Sequence, residues 1–217
     1  MASKYKPRKL IVEGNQDKRV IPELIEANGI PWEETQSEAI VDIEAYGNDQ
    51  FIDSTVISTE LQASGLISLG LIVDADNDLN RRWASIRNAC AQSISDMPDT
   101  LPERGLIHST ASGIKFGVWI MPDNKTQGML ETFLSYLVPD PSESLWKYAQ
   151  EVTQSAKQKG SNFIEPHVDK ANIHTWLAWQ NPPGRQLHNA VMEKILDPNH
   201  PRAQPFVDWF KRLYGLS

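Results

Sequence analysis

Two apolar runs of strand character, each stopping on a carboxylate and each followed by a helical pattern, constrain this chain more than any other feature. The first is Lys9-Leu-Ile-Val-Glu13-Gly14, with Asp17 just beyond it. The second is Leu71-Ile-Val-Asp74-Ala-Asp76-Asn-Asp78. In an open α/β sheet, the carboxyl ends of neighbouring strands open on one crevice. Carboxylates gathered there repel one another unless a cation neutralises them. Oxygen donors in that number suit Mg²⁺ or Mn²⁺.

The rest of the pattern fits such a sheet. Residues 9–13 and 68–74 are short and apolar, as buried strands are, and residues 39–46 alternate as a half-exposed strand does. Helical spacing follows the first strand, with Val20, Leu24 and Ile25 on one face. Asn28-Gly29 and Pro31 end that helix, and Pro22 is expected near its first turns. Residues 51–61 and 79–94 read as two further helices. Residues 105–109 and 114–121 read as a hairpin joined by Thr110-Ala-Ser-Gly113. A helix over 126–138 closes the alternating part. Beyond Pro139 and Pro141 only helices are expected, over 142–159, 165–180, 186–196 and 204–214, separated by proline-rich turns. The predicted architecture is α/β: a mainly parallel, Rossmann-like sheet flanked by helices over residues 1–140. A helical C-terminal extension over 141–217 packs on it.

Composition removes several classes. Cys90 is the sole cysteine, so no disulfide framework exists, and its place on an apolar helical face predicts a core residue. His167, His174, His188 and His200 lack the partners of a structural zinc site. No apolar run is long enough to span a membrane, and the basic N-terminus lacks a signal-peptide core, so the cytoplasm is the expected location. Net charge is −7, with ten acids and no base between residues 21 and 66. A protein that neutralises many phosphates is normally basic. Contact with nucleic acid would therefore be local, metal-bridged or shared with another subunit, and a homo-oligomer built through the helical tail is one expectation.

The motifs narrow the chemistry. Counted from Asp74, a calcium loop would need Gly at its sixth position and Glu at its twelfth; Leu79 and Ser85 stand there. Neither GxxxxGK[ST] nor GxGxxG occurs, and no nucleophile elbow accompanies any serine. On an extended segment Asp74, Asp76 and Asp78 fall on one side. Helix capping accounts for Asp78 but leaves Asp74 and Asp76 unexplained. Gly14 suits either close approach of a phosphate or a tight strand-to-helix turn. Trp176 and Trp179, at helical spacing, fit a core or interface better than a base-stacking platform, and His174 fits an interhelical hydrogen bond.

These residues carry a resemblance. Val12-Glu13-Gly14 with Asp17, followed by Ile72-Val73-Asp74-Ala75-Asp76, resembles the Toprim domain of topoisomerases, bacterial primases, 5S ribosomal RNA maturases and overcoming-lysogenisation-defect (OLD) nucleases. Gly117-Val-Trp-Ile-Met-Pro122-Asp123-Asn124, Gly128-Met-Leu-Glu131 and His174-Thr-Trp176-Leu-Ala-Trp179-Gln180 are similar to an uncharacterised Toprim-related family. The resemblance implies Glu13 as metal ligand or general acid–base and Asp74 and Asp76 as the metal pair. It implies Asp17, Asp78, Asp123 and Glu131 as supporting metal ligands. A basic catalytic residue is assigned to Lys170, with Lys115 and Lys125 as rivals. The function it implies is divalent-metal-dependent phosphodiester hydrolysis of DNA or RNA, with Mg²⁺ or Mn²⁺ as cofactor. Two alternatives stand beside it: a non-catalytic nucleic-acid- or partner-binding module, and a small phosphohydrolase acting on nucleotides.

Overall fold

A computed structural model describes residues 6–32 and 40–217. Five strands form one sheet in the order β2-β1-β3-β5-β4. They are β1 (Arg8–Val12), β2 (Asp42–Ala45), β3 (Ser68–Asp74), β4 (Leu106–Ser109) and β5 (Lys115–Met121). All neighbours are parallel except the β4–β5 hairpin. This is the mainly parallel, helix-flanked α/β sheet expected. Ala39, where the second strand was expected to begin, lies outside the described residues, as do residues 1–5 of the basic N-terminus.

Alternation along the strands sends side chains to two apolar layers. Leu10, Val12, Ile72, Trp119 and Met121 face a layer shared with α1 (Asn15–Ala27) and the C-terminal helices. Ile11, Leu71, Val73, Val118 and Ile120 face the other, under α2 (Ser54–Leu61) and α3 (Leu79–Cys90). Cys90 is fully buried there, and burial pushes its thiol up to about 12. The remaining helices are α4 (Leu130–Ser135), α5 (Glu143–Gln158), α6 (Val168–Leu177), α7 (Leu187–Met192) and α8 (Gln204–Tyr214). Trp176 is buried in the first layer. Trp179 is exposed and stacks on Tyr148.

The last helix lies directly under the sheet. Gly70 and Gly117 are register partners on β3 and β5, and Leu213 and Tyr214 of α8 press against them. A Cβ on Gly117 would stand 2.5 Å from Leu213 Cδ2. Tyr214 donates its phenolic hydrogen to the Lys9 carbonyl at 2.9 Å. Absent side chains on the two central strands are thus what allow α8 to dock.

Local differences from expectation have local causes. Pro22 sits at the eighth residue of α1, not in its first turns. The helix continues because Val20, Ile21, Leu24 and Ile25 are all buried, which outweighs one missing hydrogen bond. The helix expected from residue 51 begins at Ser54, where Asp53 accepts the Thr55 and Val56 N–H groups. The helix expected from residue 126 begins at Leu130. Asp123 takes the Lys125 and Thr126 N–H groups in a turn, and Gly128 then pairs with Asp76 as an isolated antiparallel bridge. His174 is exposed and makes no side-chain hydrogen bond among the described residues, contrary to the expected interhelical bond.

Candidate functional site

Parallel β1 and β3 run in register from Arg8–Ser68 to Val12–Ile72. Glu13 and Asp74 therefore leave the same edge of the sheet side by side. Glu13 Oε1 accepts the Asp74 backbone N–H at 3.3 Å. One turn into α1, Asp17 is buried, and its Oδ2 accepts the Gly14 N–H at 3.1 Å. A Cβ on Gly14 would lie 3.0 Å from that same oxygen, so the glycine leaves room for the turn that folds Asp17 back over the strand end.

The fourth acid arrives from across the sheet. Asp76 and Gly128 exchange backbone hydrogen bonds of 2.9 Å, which ties the segment after β5 to the segment after β3. This sets the start of α4 above Asp74, whose Oδ1 accepts the Leu130 N–H at 3.0 Å. Glu131, the next residue, is buried, and its Oε1 lies 3.2 Å from Lys170 Nζ of α6. The neighbouring Asp169 accepts from Thr132 Oγ1 at 2.6 Å, a second tie between α6 and α4. Glu13, Asp17, Asp74, Glu131 and Lys170 line one pocket of about 300 Å³, together with Gly14, Arg19 and Asn48.

The electrostatics follow from this crowding. Burial above all pushes the Glu13 carboxyl up to about 7; Arg82 opposes the shift and Asp76 adds to it. Burial likewise pushes Asp17 to about 7, against the stabilising Gly14 hydrogen bond and with help from the Glu131 charge. Asp74 is raised well above the ordinary carboxylate range, by burial and then by the charges of Asp17, Glu13 and Glu131. Each carboxyl resists ionisation because its neighbours are acids and little water reaches it.

The other sequence candidates lie elsewhere. Asp76 is exposed, in the left-handed region at φ 51°, and its Oδ2 lies 2.5 Å from Arg82. Asp78 caps α3 by accepting the Arg81 N–H at 2.9 Å, the role that capping predicts. The two share a neighbouring pocket with Asp49 and Arg82. Asp123 is held by its own turn and lines a third cavity, as does Lys125, which pairs with Glu103 at 2.8 Å. Lys115 begins β5, at the opposite edge of the sheet. Lys170 alone of the three lysines reaches the acids.

Arg82 is the residue the sequence reading missed. It bridges Asp49 at 2.7 Å and Asp76, and lies 3.8 Å from Glu13, so it neutralises the rim of the site. Its place four residues after the capping Asp78 was the available signal. Among the described residues, no group of three or more His, Cys, Asp or Glu side chains is disposed to hold a metal ion as it stands. Glu13, Asp17 and Asp74 each commit an oxygen to a backbone N–H, and Glu131 commits one to Lys170. In type and charge these oxygen donors fit a hard divalent cation, and closing on one requires the side chains to rotate.

A family model described as "Protein of unknown function (DUF3226)" matches residues 7–215. Comparison with curated proteins finds no match. Two solved structures of the C-terminal region of the OLD protein of Xanthomonas campestris pv. campestris are similar to the chain. The one phased with iodine is 12% identical over 98% of each chain, with a TM-score of 0.47. The one phased with mercury is 14% identical over 95% of this chain and 87% of that chain, with a TM-score of 0.39. Neither likeness is close enough to carry roles from one chain to the other.

Proposed function

The chain belongs to the DUF3226 family, whose description assigns no function, and we propose that it is a Toprim-type, divalent-metal-dependent hydrolase of phosphodiesters in DNA or RNA. One observation carries this reading. Four acids and a lysine from β1, α1, β3, α4 and α6 enter a single pocket at the carboxyl edge of the sheet. Crowded acids with little water around them are costly, and a pocket that gathers four, Asp17 and Glu131 buried and Glu13 and Asp74 partly so, is relieved by a cation. The Toprim-like order of Glu13 and Asp74-x-Asp76 in the sequence supports the same conclusion.

Glu13, Asp17, Asp74 and Glu131 would hold Mg²⁺ or Mn²⁺. Bound there, such an ion supplies a more acidic water and stabilises negative charge on phosphoryl oxygens. The chain's own residues do the rest. Glu13, beside Asp74 at the strand edge, receives the proton of the attacking water as its oxygen bonds to phosphorus; the phosphorus–oxygen bond to the sugar breaks, and the departing oxygen takes a proton from solvent. The Lys170 ammonium, half-exposed at the pocket mouth, faces the charge that develops on the phosphate. The Gly14 backbone leaves space for a phosphate to approach. Arg82 keeps Asp76 and Glu13 oriented from the rim.

A second reading, a binding module without catalysis, draws on the pairing of Asp76 with Arg82 in the neighbouring pocket, away from the other acids. Incubation of the purified protein with plasmid DNA and structured RNA, with Mg²⁺ or Mn²⁺, separates the two. Cleavage that needs the metal and disappears in Asp74→Ala supports the hydrolase. Binding without turnover in every metal tried supports the module, and cleavage unchanged in Asp74→Ala sinks the assignment.

A further inference from the structure

We infer that the chain carries a second site, a nucleotide-binding cavity at the far end of α4 from the acidic pocket. A cavity of about 730 Å³ opens between the segment before β4, the turn after β5 and the start of α8. That size holds a small organic ligand. Three features of its wall point to the same chemistry.

The first is charge. Arg104, Arg202, Lys211 and Arg212 all line the cavity, and none has a carboxylate at ion-pair distance among the described residues. With Lys125, five basic side chains of the wall stand against three acidic ones, Glu103, Asp123 and Asp208, and Glu103 is paired with Lys125. In a chain of net charge −7, this is a cationic concavity. Cations in excess of their counter-charge repel one another, and a phosphate relieves them.

The second is a stacking surface. The Arg202 guanidinium lies over the Tyr136 ring, 4.5 Å from its centroid. A guanidinium held over an aromatic ring can offer its other face to a base. The third is an incomplete hydrogen bond. Trp119 is the buried residue of the lining, 1% exposed, and its indole N–H has no partner among the described residues. A buried donor without an acceptor is costly, and an acceptor atom on a ligand would complete it. Phosphate, flat base and hydrogen-bond acceptor together describe a nucleotide.

The source is either a free nucleotide or one nucleotide of a single strand. Nothing in the inference requires a metal, so it stands apart from the hydrolytic reading. The two sites are nonetheless linked, because Glu131, in the first turn of α4, lines one pocket and Tyr136, just after α4, lines the other. Five helical residues rise about 7–8 Å. A strand crossing α4 would place one nucleotide in the cavity and a neighbouring phosphate near the acids.

Binding is measured in EDTA with two probes: AMP by titration calorimetry, and a fluorescein-labelled oligo-dA of about ten nucleotides by anisotropy. At least one is expected to bind. Arg104→Ala/Arg212→Ala and Arg202→Ala should each weaken it by about tenfold or more. Arg202→Lys, which keeps the charge but not the plane, should also weaken it. Lys147→Ala, which breaks an exposed pair with Glu143 in α5, should not. Binding of AMP alone assigns a free nucleotide; binding of the oligonucleotide, with or without AMP, assigns a strand. If neither binds, or the arginine variants bind as the wild type does, the inference is overturned. Loss of cleavage in Asp74→Ala bears on the acidic pocket only and leaves this measurement unmoved.

Discussion

Replacing Asp17 by Asn should stabilise the metal-free protein, and by more as pH rises. Asp17 is 6% exposed, so solvent screening offers its charge little relief. In the folded chain its carboxyl is pushed from the ordinary 3.8 to about 7. A carboxyl whose folded pKa is raised contributes stability that is fully present below about pH 4. That contribution is lost progressively as pH rises toward 7, because the unfolded chain ionises first. Between about pH 5 and pH 8 the wild type should lose roughly 2–3 kcal/mol through this residue, at 1.36 kcal/mol for each unit. An Asn does not titrate. Its side-chain oxygen can still accept the Gly14 N–H, so the turn survives. The Asn variant should therefore gain on the wild type by that amount across the interval. In a chain of this length the relative shift is about 5–10 °C in melting temperature. Thermal unfolding by circular dichroism at the two pH values, in EDTA, measures it. A difference in melting temperature that is the same at both pH values, or one that shrinks at higher pH, would refute the claim that Asp17 is held in a site hostile to its charge. Added Mg²⁺ should restore the wild type at about pH 8 and leave the variant behind.

Three further outcomes follow from the same geometry. At about pH 8, Mg²⁺ or Mn²⁺ at roughly a hundred times its dissociation constant should add about 2.7 kcal/mol to the wild type, and Asp74→Asn should lose most of that gain; calorimetric scans with and without metal read it. Asp78→Ala should cost about 1 kcal/mol through loss of the α3 cap while leaving the metal-induced shift intact, and loss of that shift would return Asp78 to the metal site. Gly117→Ala should cost about 1–3 kcal/mol by driving a methyl group into Leu213, and Leu213→Ala in the same chain should cancel part of that cost in denaturant unfolding.

The two strand ends were legible because each is a local pattern. An apolar run stops, a carboxylate follows, and the next residues cap a helix; β1, β3, Glu13 and Asp74 are all written within a few residues. What was not legible depends on partners far away in the chain. Asp123 and Glu131 looked equivalent, two acids after the same strand. Two residues past β5, Asp123 is captured by the N–H groups of its own turn. Glu131 is carried back over Asp74 only because Gly128 pairs with Asp76, a contact that nothing in either segment announces. Likewise no local sign shows that Gly70 and Gly117 stand side by side, or that α8 uses the space they leave.

Arg82 makes the general point. Sequence shows a row of acids and invites the conclusion that a cation must join them all. In the fold, a guanidinium already neutralises Asp49 and Asp76 at the rim, and reaches Glu13. Glu13 stays raised in spite of Arg82, and Asp17 and Asp74, where burial is again the largest cause of the shift, have no arginine within ion-pair distance among the described residues. Lys170, whose charge acts on Asp17, has its short contact with Glu131. The distinction between an acid the protein pairs with a cation and an acid it leaves unpaired is therefore a matter of which cation arrives from which element. Spacing along the chain does not contain that information. It follows that substitutions at Asp76 and at Asp74, two positions apart, should report on different things: the first on the Arg82 network, the second on the cation.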